Sequence, residues 1–251
     1  MVNAKVERTK VRGVSCCSPP PVSLADHTSV TEAVALLKAA KAPLVIIGKG
    51  AAYGRAEAVL REFVETSGLL FLPTPMGKGV VPDDHPNCVS AARSRFNPNV
   101  KIIQVDLCAE EMGNNVRPAA ALLGDIKAVV SQLVALIKKD GWKYPSNTEW
   151  WSMLREKAAA NTKISKALAL RATPQMNYYT VFHHISELLP HDCIIVSEGA
   201  NTMDVGRTML NNSLPRHRQG RESGHFSDSQ TAKLRLIVLR HFTKFKSFIN
   251  E

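Results

Sequence analysis

The chain has 251 residues, of which 45% are apolar, and a formal net charge of +10. This length and apolar content can bury a hydrophobic core, which excludes an intrinsically disordered protein. The charge lies at the ends, with +3 in residues 1–25, +5 in residues 211–251 and only +2 between them, so a nucleic-acid-binding face on the folded body is not expected.

Residues 1–27 are predicted to be an extended linker, because Pro19-Pro20-Pro21 excludes a helix. Ser29 and Glu32 have the spacing of a capping box and predict a helix that begins at Ser29. Apolar residues then recur at helical spacing until Pro43 ends the pattern. Residues 44–47 form an apolar run that predicts a buried parallel strand.

Three glycines, Gly48, Gly50 and Gly54, follow this strand, and a helix is predicted from near Arg55. Glycines at such a turn let the backbone approach a ligand closely, and the helix would direct its free N–H groups towards an anion. One interpretation is therefore a phosphate site for a nucleotide or coenzyme. The other is an ordinary turn between a strand and a helix in an α/β core.

Residues 69–72 predict a second strand, parallel to the first. An NAD-binding fold would place an acidic residue just after it, but Thr74 and Met76 stand there, which disfavours an ordinary NAD site. The Gly- and Pro-rich residues 75–86 contain Asp83-Asp84-His85. A metal site is one interpretation of this cluster, and a surface turn is favoured because adjacent side chains rarely converge on one ion.

A helix is predicted to start at residues 91–95 and to be broken almost at once by Asn97-Pro98-Asn99. A buried strand over residues 100–106 ends at Asp106, where parallel sheets bind ligands. Residues 119–123 form another short apolar segment. Gly124-Asp125 then leads into a helix that ends at Asp140.

A long helix is predicted from residue 148 to about residue 170, with Trp150 and Trp151 favoured as packing anchors over base-stacking platforms. A helix led by Asn177 and a strand over residues 193–196 open a second α/β unit. Residues 197–202 form a polar strand end there, followed by a short helix. His183 and His184 have no partner at ligand spacing and are interpreted as ordinary helix residues.

The five cysteines form no C-x-x-C pair, so neither a zinc site nor a disulfide framework is predicted, and a reducing compartment is favoured. No run approaches the roughly 18 apolar residues of a membrane span, and no signal-peptide pattern is present, so no transmembrane segment is expected.

Several segments in the same order resemble one family. The segments are residues 46–53, 73–82, 177–180 and 197–204. They are similar to thiamine-diphosphate-dependent enzymes of the 2-hydroxyacyl-CoA lyase and oxalyl-CoA decarboxylase branch. The resemblance covers about residues 20 to 218.

The resemblance implies an α/β fold with a Rossmann-like parallel sheet. The chain would then comprise a linker (1–27), the family's central domain (28–145), an interdomain helix (146–173), the start of the diphosphate-binding domain (174–212) and a divergent basic tail (213–251). It also implies a lyase that cleaves 2-hydroxyacyl-CoA to formyl-CoA and a shortened aldehyde in fatty acid α-oxidation, with thiamine diphosphate and Mg²⁺ as cofactors. The location implied is the peroxisome.

The resemblance also implies binding residues. Gly48, Lys49 and Gly50 match the family's phosphate-side loop for ADP or the ADP part of CoA, Asp106 its strand-end acid, and Ile126 its adenine contact. Four further positions match the lining of the coenzyme or acyl-CoA cleft, and these are Asn177, Tyr178, Ala200 and Asn201. No catalytic residue and no metal ligand is assigned.

Departures from the family lead to an expectation of inactivity. The catalytic glutamate belongs to a pyrimidine-binding domain that this sequence does not contain, and Gly124-Asp125 has no Asn-Asn about thirty residues on to complete a metal motif. Some two dozen residues, including a strand, are missing near Arg95, which would expose two sheet edges and puts a stable fold in question. An ADP- or CoA-binding module, or a partner of full-length subunits or of itself, is the competing hypothesis.

The sequence leaves the family after Arg218. Residues 233–248 taken alone predict a basic amphipathic helix, which could lie on an anionic membrane; a splice-derived tail without a role is favoured. The last three residues, Ile249-Asn250-Glu251, are not a Ser-Lys-Leu-type peroxisomal address, so a cytosolic location is the alternative.

Overall fold

A computed structural model of the chain describes residues 17–90, 99–114, 116–171, 176–197, 200–220 and 236–239. The described part of the chain contains both helices and strands. They are α1 (His27–Ala39), β1 (Val45–Ile47), α2 (Lys49–Tyr53), α3 (Glu57–Ser67), β2 (Phe71–Pro73), β3 (Ile103–Asp106), β4 (Ala120–Leu123), α4 (Ile126–Lys139), α5 (Glu149–Ala169), α6 (Tyr178–Leu188), β5 (Ile194–Ser197), α7 (Ala200–Met209), β6 (Arg218–Gly220) and β7 (Leu236–Leu239). None of these helices is long and apolar enough to cross a lipid bilayer.

All strand pairs in the described residues are parallel. β1 pairs with β2, β3 pairs with β4, and β5 lies between β6 and β7. The parallel α/β class predicted from the sequence is confirmed. The described strands β1 and β3 belong to separate pairs, and Ile46 on β1 is 46% exposed.

One large hydrophobic core holds residues 25–154 together. α3 and α4 pack on each other over it, and its most enclosed large side chains include Phe71, Leu122 and Leu154. Trp151 is buried in this core, and Trp150 donates a hydrogen bond from Nε1 to the Pro43 carbonyl at 2.9 Å. The prediction that both tryptophans are packing anchors is confirmed.

The first helix begins earlier than predicted. Asp26 is its N-cap, because the Asp26 carboxylate accepts a hydrogen bond from the Ser29 N–H at 2.9 Å. The capping box predicted at Ser29 is therefore wrong, and Ser29 lies within the first turn. The end of the predicted linker also packs on the domain, since Ala25 is buried and the Ser23 carbonyl accepts from the Asp125 N–H at 2.9 Å.

A second, smaller core lies under α6, β5 and α7. Its buried members are Phe182, Cys193, Ile195 and Leu210. β6 and β7 flank β5 in this sheet, so residues beyond 212 contribute to the same unit. The amphipathic helix predicted over residues 233–248 is wrong at residues 236–239, where Ile237 and Val238 have the β-branched side chains that favour strands and pair with β5.

Several sequence predictions lie partly or wholly outside the described residues. They concern residues 1–16 of the linker, the helix start at residues 91–95, residues 198–199 of the polar strand end, and residues 221–235 and 240–251 of the basic tail.

Candidate functional site

The carboxyl end of β1 is the part of the molecule that the sequence singled out first. β1 ends at Ile47, and α2 follows directly, with Gly48 at the N-cap in an extended conformation and Gly54 at the C-cap. The helix predicted from near Arg55 is α3, which begins at Glu57, whereas the short helix α2 was not predicted. Ala51 and Ala52 are buried and favour helix, so most of the predicted glycine loop is helical, while Arg55 has a left-handed φ of 51° between α2 and α3.

The first two glycines of this segment face open space. A Cβ added at Gly48 or Gly50 would have no atom within 4 Å, and Lys49 between them is exposed. A ligand can therefore approach the backbone at these positions without displacing protein atoms. Gly54 differs, because a Cβ there would overlap Cγ2 of Ile126. This close approach seats α2 against the start of α4.

Asp106 and Ile126 lie at the same edge of the domain as α2. Asp106 is the last residue of β3, its carbonyl accepts a hydrogen bond from the Gly124 N–H at 2.9 Å, and its Oδ1 accepts from the Cys108 N–H at 3.0 Å. Gly124 directly precedes Asp125 and Ile126, which packs on Gly54. The Gly54–Ile126 contact and the Gly124–Asp106 hydrogen bond, joined by the main chain of residues 124–126, therefore link α2 to Asp106.

The other predicted binding residues belong to the second unit. Asn177 is the N-cap of α6: its Oδ1 accepts from the Thr180 N–H and its Nδ2 donates to the Leu168 carbonyl, both at 3.0 Å. Tyr178 packs against the smaller core. Ala200 and Asn201 are the first residues of α7, which follows β5. These four positions are thus held by α6 and α7 and not by β1, β3 or α4.

Residues 75–86 carry a buried ion pair that sequence reasoning missed. Lys78 Nζ lies 2.9 Å from Asp83 Oδ2, with the two side chains only 3% and 1% exposed. The surface turn favoured for Asp83-Asp84-His85 is therefore wrong for Asp83, while Asp84 is exposed. The signal in the sequence was the lysine between Gly77 and Gly79, because paired glycines allow neighbouring backbones to approach closely.

Two arginines, Arg207 and Arg218, lie close to this ion pair. Burial lowers the pKa of Lys78, and the Asp83 charge opposes that shift. Burial also lowers the pKa of Arg218 to about 10. Arg218 donates from Nη1 towards the Leu210 carbonyl and Asn212 Oδ1, both at 3.5 Å, and Arg207 carries the third positive charge nearby.

The described residues contain no group of three His, Cys, Asp or Glu side chains that could hold a metal ion. Asp125, the acidic residue of the Gly-Asp pair, instead caps α4 by accepting from the Ala128 N–H at 3.0 Å. Asn177 is likewise a helix N-cap, and among the described residues Asp125 belongs to no cluster of metal-ligating side chains.

Comparison with known proteins assigns the chain to a family. Residues 30–94 match the model of the thiamine pyrophosphate enzyme central domain. The chain is 52% identical over 243 residues to 2-hydroxyacyl-CoA lyase 1 of Mus musculus and 50% identical to that of Homo sapiens, in both cases over 86% of this chain. It is therefore a homologue of the 2-hydroxyacyl-CoA lyases. This chain is also 31% identical to oxalyl-CoA decarboxylase of Escherichia coli K12, and that alignment covers 80% of this chain.

The match covers only part of the relatives. The lyase homologue spans 42% of the length of the mouse and human proteins. The alignment with the mouse protein has 243 positions, whereas 86% of this 251-residue chain is about 216 residues. About 27 positions of the mouse protein therefore lie opposite gaps in this chain. This number is close to the two dozen residues that the family resemblance predicts to be missing near Arg95.

Proposed function

We propose that the chain derives from a lyase that cleaves 2-hydroxyacyl-CoA to formyl-CoA and a shortened fatty aldehyde with thiamine diphosphate and Mg²⁺, in peroxisomal α-oxidation. The observation that supports this proposal is the 52% identity to 2-hydroxyacyl-CoA lyase 1 over 86% of the chain. Fluorescent tagging in cells would test the peroxisomal location.

The 251-residue polypeptide itself is proposed to bind the ADP part of a coenzyme. Gly48 and Gly50 leave room for a phosphate to reach the backbone, and Lys49 supplies an exposed positive charge beside it. Asp106 can accept hydrogen bonds from ribose hydroxyls, and Ile126 offers apolar surface to an adenine ring. The contacts from α2 through Ile126 to Asp106 keep these groups at one edge.

Calorimetric titration of ADP and of CoA into the purified chain tests this site. We expect saturable heat with both ligands, and Lys49→Ala should lower the affinity about tenfold, the usual size of one charge-assisted contact. Lys101→Ala is the matched control, because Lys101 is also exposed but precedes β3 at its opposite end. No heat in the unmodified chain would reject the nucleotide site.

The same polypeptide is proposed to lack lyase activity by itself. The described residues hold no metal cluster, and both Asp125 and Asn177 are engaged in helix caps. Ylid formation on thiamine diphosphate also requires a carboxylate, which the family takes from another domain. Formation of formyl-CoA from a 2-hydroxyacyl-CoA by the purified chain with both cofactors would overturn this proposal.

Association with full-length subunits, or with a second copy, is the second candidate role. The observation that favours it is the open edge of β1, where Ile46 is 46% exposed and its strand pairs only with β2 among the described residues. Light scattering of the chain alone and with a full-length lyase subunit would reveal a complex. A monomer in both samples would reject this role.

A further inference from the structure

The C-terminal end of α7 receives a cation from a distant part of the chain. Lys78 Nζ donates hydrogen bonds to the carbonyl oxygens of Arg207 at 2.8 Å and Leu210 at 3.1 Å. The last carbonyls of a helix have no partner within the helix and carry the negative end of its dipole. A lysine at this position therefore acts as a cap for α7 that another module supplies.

Asp83 binds both this lysine and the residue that follows the helix. Its Oδ2 lies 2.9 Å from Lys78 Nζ and accepts the Asn212 N–H at 2.8 Å. The Asp83 N–H in turn donates to the Asn212 carbonyl at 3.1 Å. Asp83, the counter-ion of Lys78, thus holds the main chain of Asn212 by two hydrogen bonds, one accepted and one donated.

The main chain on both sides of Lys78 lies very close to other main-chain segments. A Cβ on Gly77 would overlap the carbonyl oxygen of Ile47 at the end of β1, and a Cβ on Gly79 would overlap the carbonyl oxygen of Leu214. The lysine is therefore clamped between the carboxyl end of β1 and the segment after α7. Its side chain has little freedom to follow a displaced helix.

We propose that Lys78, with Asp83 as its counter-ion, is a positioning residue that fixes α7 on the central domain along the helix axis. Because α7 begins with Ala200 and Asn201, this cap also sets the place of those two residues. That last step rests on the proposed function, whereas the docking of α7 does not. A buried ion pair stabilises a fold little compared with apolar side chains of similar size, so the role proposed for this pair is to specify one arrangement of α7.

Three variants separate positioning from general stability. Lys78→Met removes the lysine and keeps Asp83 beside Arg218, Asp83→Asn leaves Lys78 and Arg218 without their carboxylate, and the double variant removes both members of the Lys78–Asp83 pair. Hydrogen exchange of residues 200–209 reports the cap, and thermal unfolding reports the fold as a whole. Lys38→Met is the matched control, because it removes a Lys–Asp pair that lies on the surface, with the Lys38 and Asp140 side chains 34% and 41% exposed.

We expect exchange of the α7 amides to be about tenfold faster in Lys78→Met and unchanged in Lys38→Met. In the double variant the melting temperature should return towards that of the original chain, while α7 still exchanges about tenfold faster, because its carbonyls have lost their donor. If the single variants do not fold, the double variant alone decides the question.

Two outcomes would overturn the proposal. One is unchanged α7 exchange in Lys78→Met, and the other is α7 exchange in the double variant that recovers together with the melting temperature. ADP titration of the same samples keeps the two proposals apart. If ADP does not bind to the original chain, the nucleotide site is rejected, while the hydrogen-exchange result for α7 stays valid.

Discussion

Gly79 and Leu214 approach each other so closely that a side chain on the glycine would overlap the leucine carbonyl oxygen. Gly79 also has a φ of +80°, which is unfavourable for every residue with a Cβ. The contact joins the loop after β2 to the segment that follows α7, although 135 positions separate them. This junction between the two units therefore depends on the close Gly79–Leu214 contact as well as on the Lys78–Asp83 ion pair.

Gly79→Ala should therefore destabilise the chain by more than the roughly 1–2 kcal/mol that a left-handed alanine costs. Gly141→Ala provides the matched comparison, because Gly141 has a φ of +59° but no atom within 4 Å of its Cβ position. Urea unfolding of both variants measures the difference. Equal losses would mean that the contact with Leu214 contributes nothing.

His85 should make the fold sensitive to mild acid. Burial lowers the pKa of His85 below its ordinary value of 6.5, and its Nδ1 accepts a hydrogen bond from the Asn87 N–H at 3.1 Å, which protonation would remove. The unfolded chain then binds more protons than the folded chain just below pH 6.5, so stability falls as the pH falls through that value. His85→Asn should reduce the loss of stability between pH 7.5 and pH 5.5. An identical pH profile for both proteins would contradict this.

Asp125 should stabilise the fold by capping the N-terminus of α4. Asp125→Ala is expected to lower the free energy of unfolding by about 0.5–2 kcal/mol, and Asp125→Asn by much less, because asparagine also caps helices. Asp26→Ala, which removes the corresponding bond at α1, serves as a comparison. If Mg²⁺ raised the melting temperature of the original chain but not of Asp125→Asn, the residue would be a metal ligand and this interpretation would fail.

The two hydrophobic cores should unfold with different stabilities. Phe71 and Phe182 are both fully buried, and each replacement by alanine should cost about 3–5 kcal/mol in its own core. The smaller core has four buried members, so we expect Phe182→Ala to expose α6, β5 and α7 to hydrogen exchange while α3 and α4 stay protected. Equal acceleration in α4 would show that the two cores unfold as one.

Much of the central domain could be predicted from residue patterns. The parallel strands β1 and β2, the position of Asp106 at the end of β3, and α4 with its apolar stripe all follow from local spacing. Predictions failed where two local signals competed. Asp26 and Ser29 are both good N-caps, and only the docking of residues 23–25 on α4 favours the earlier start.

The sequence by itself determined the fold class, the family and the residues available at the edge of β1, because hydrophobic periodicity and motif order are local properties. Only the tertiary structure decided which polar residues are buried and with whom they pair. Lys78 and Asp83 look like loop residues in the sequence, and their roles depend on carbonyls and amides of residues 207–212. Contacts across more than 120 positions leave no periodic signal, so folding alone brings them together.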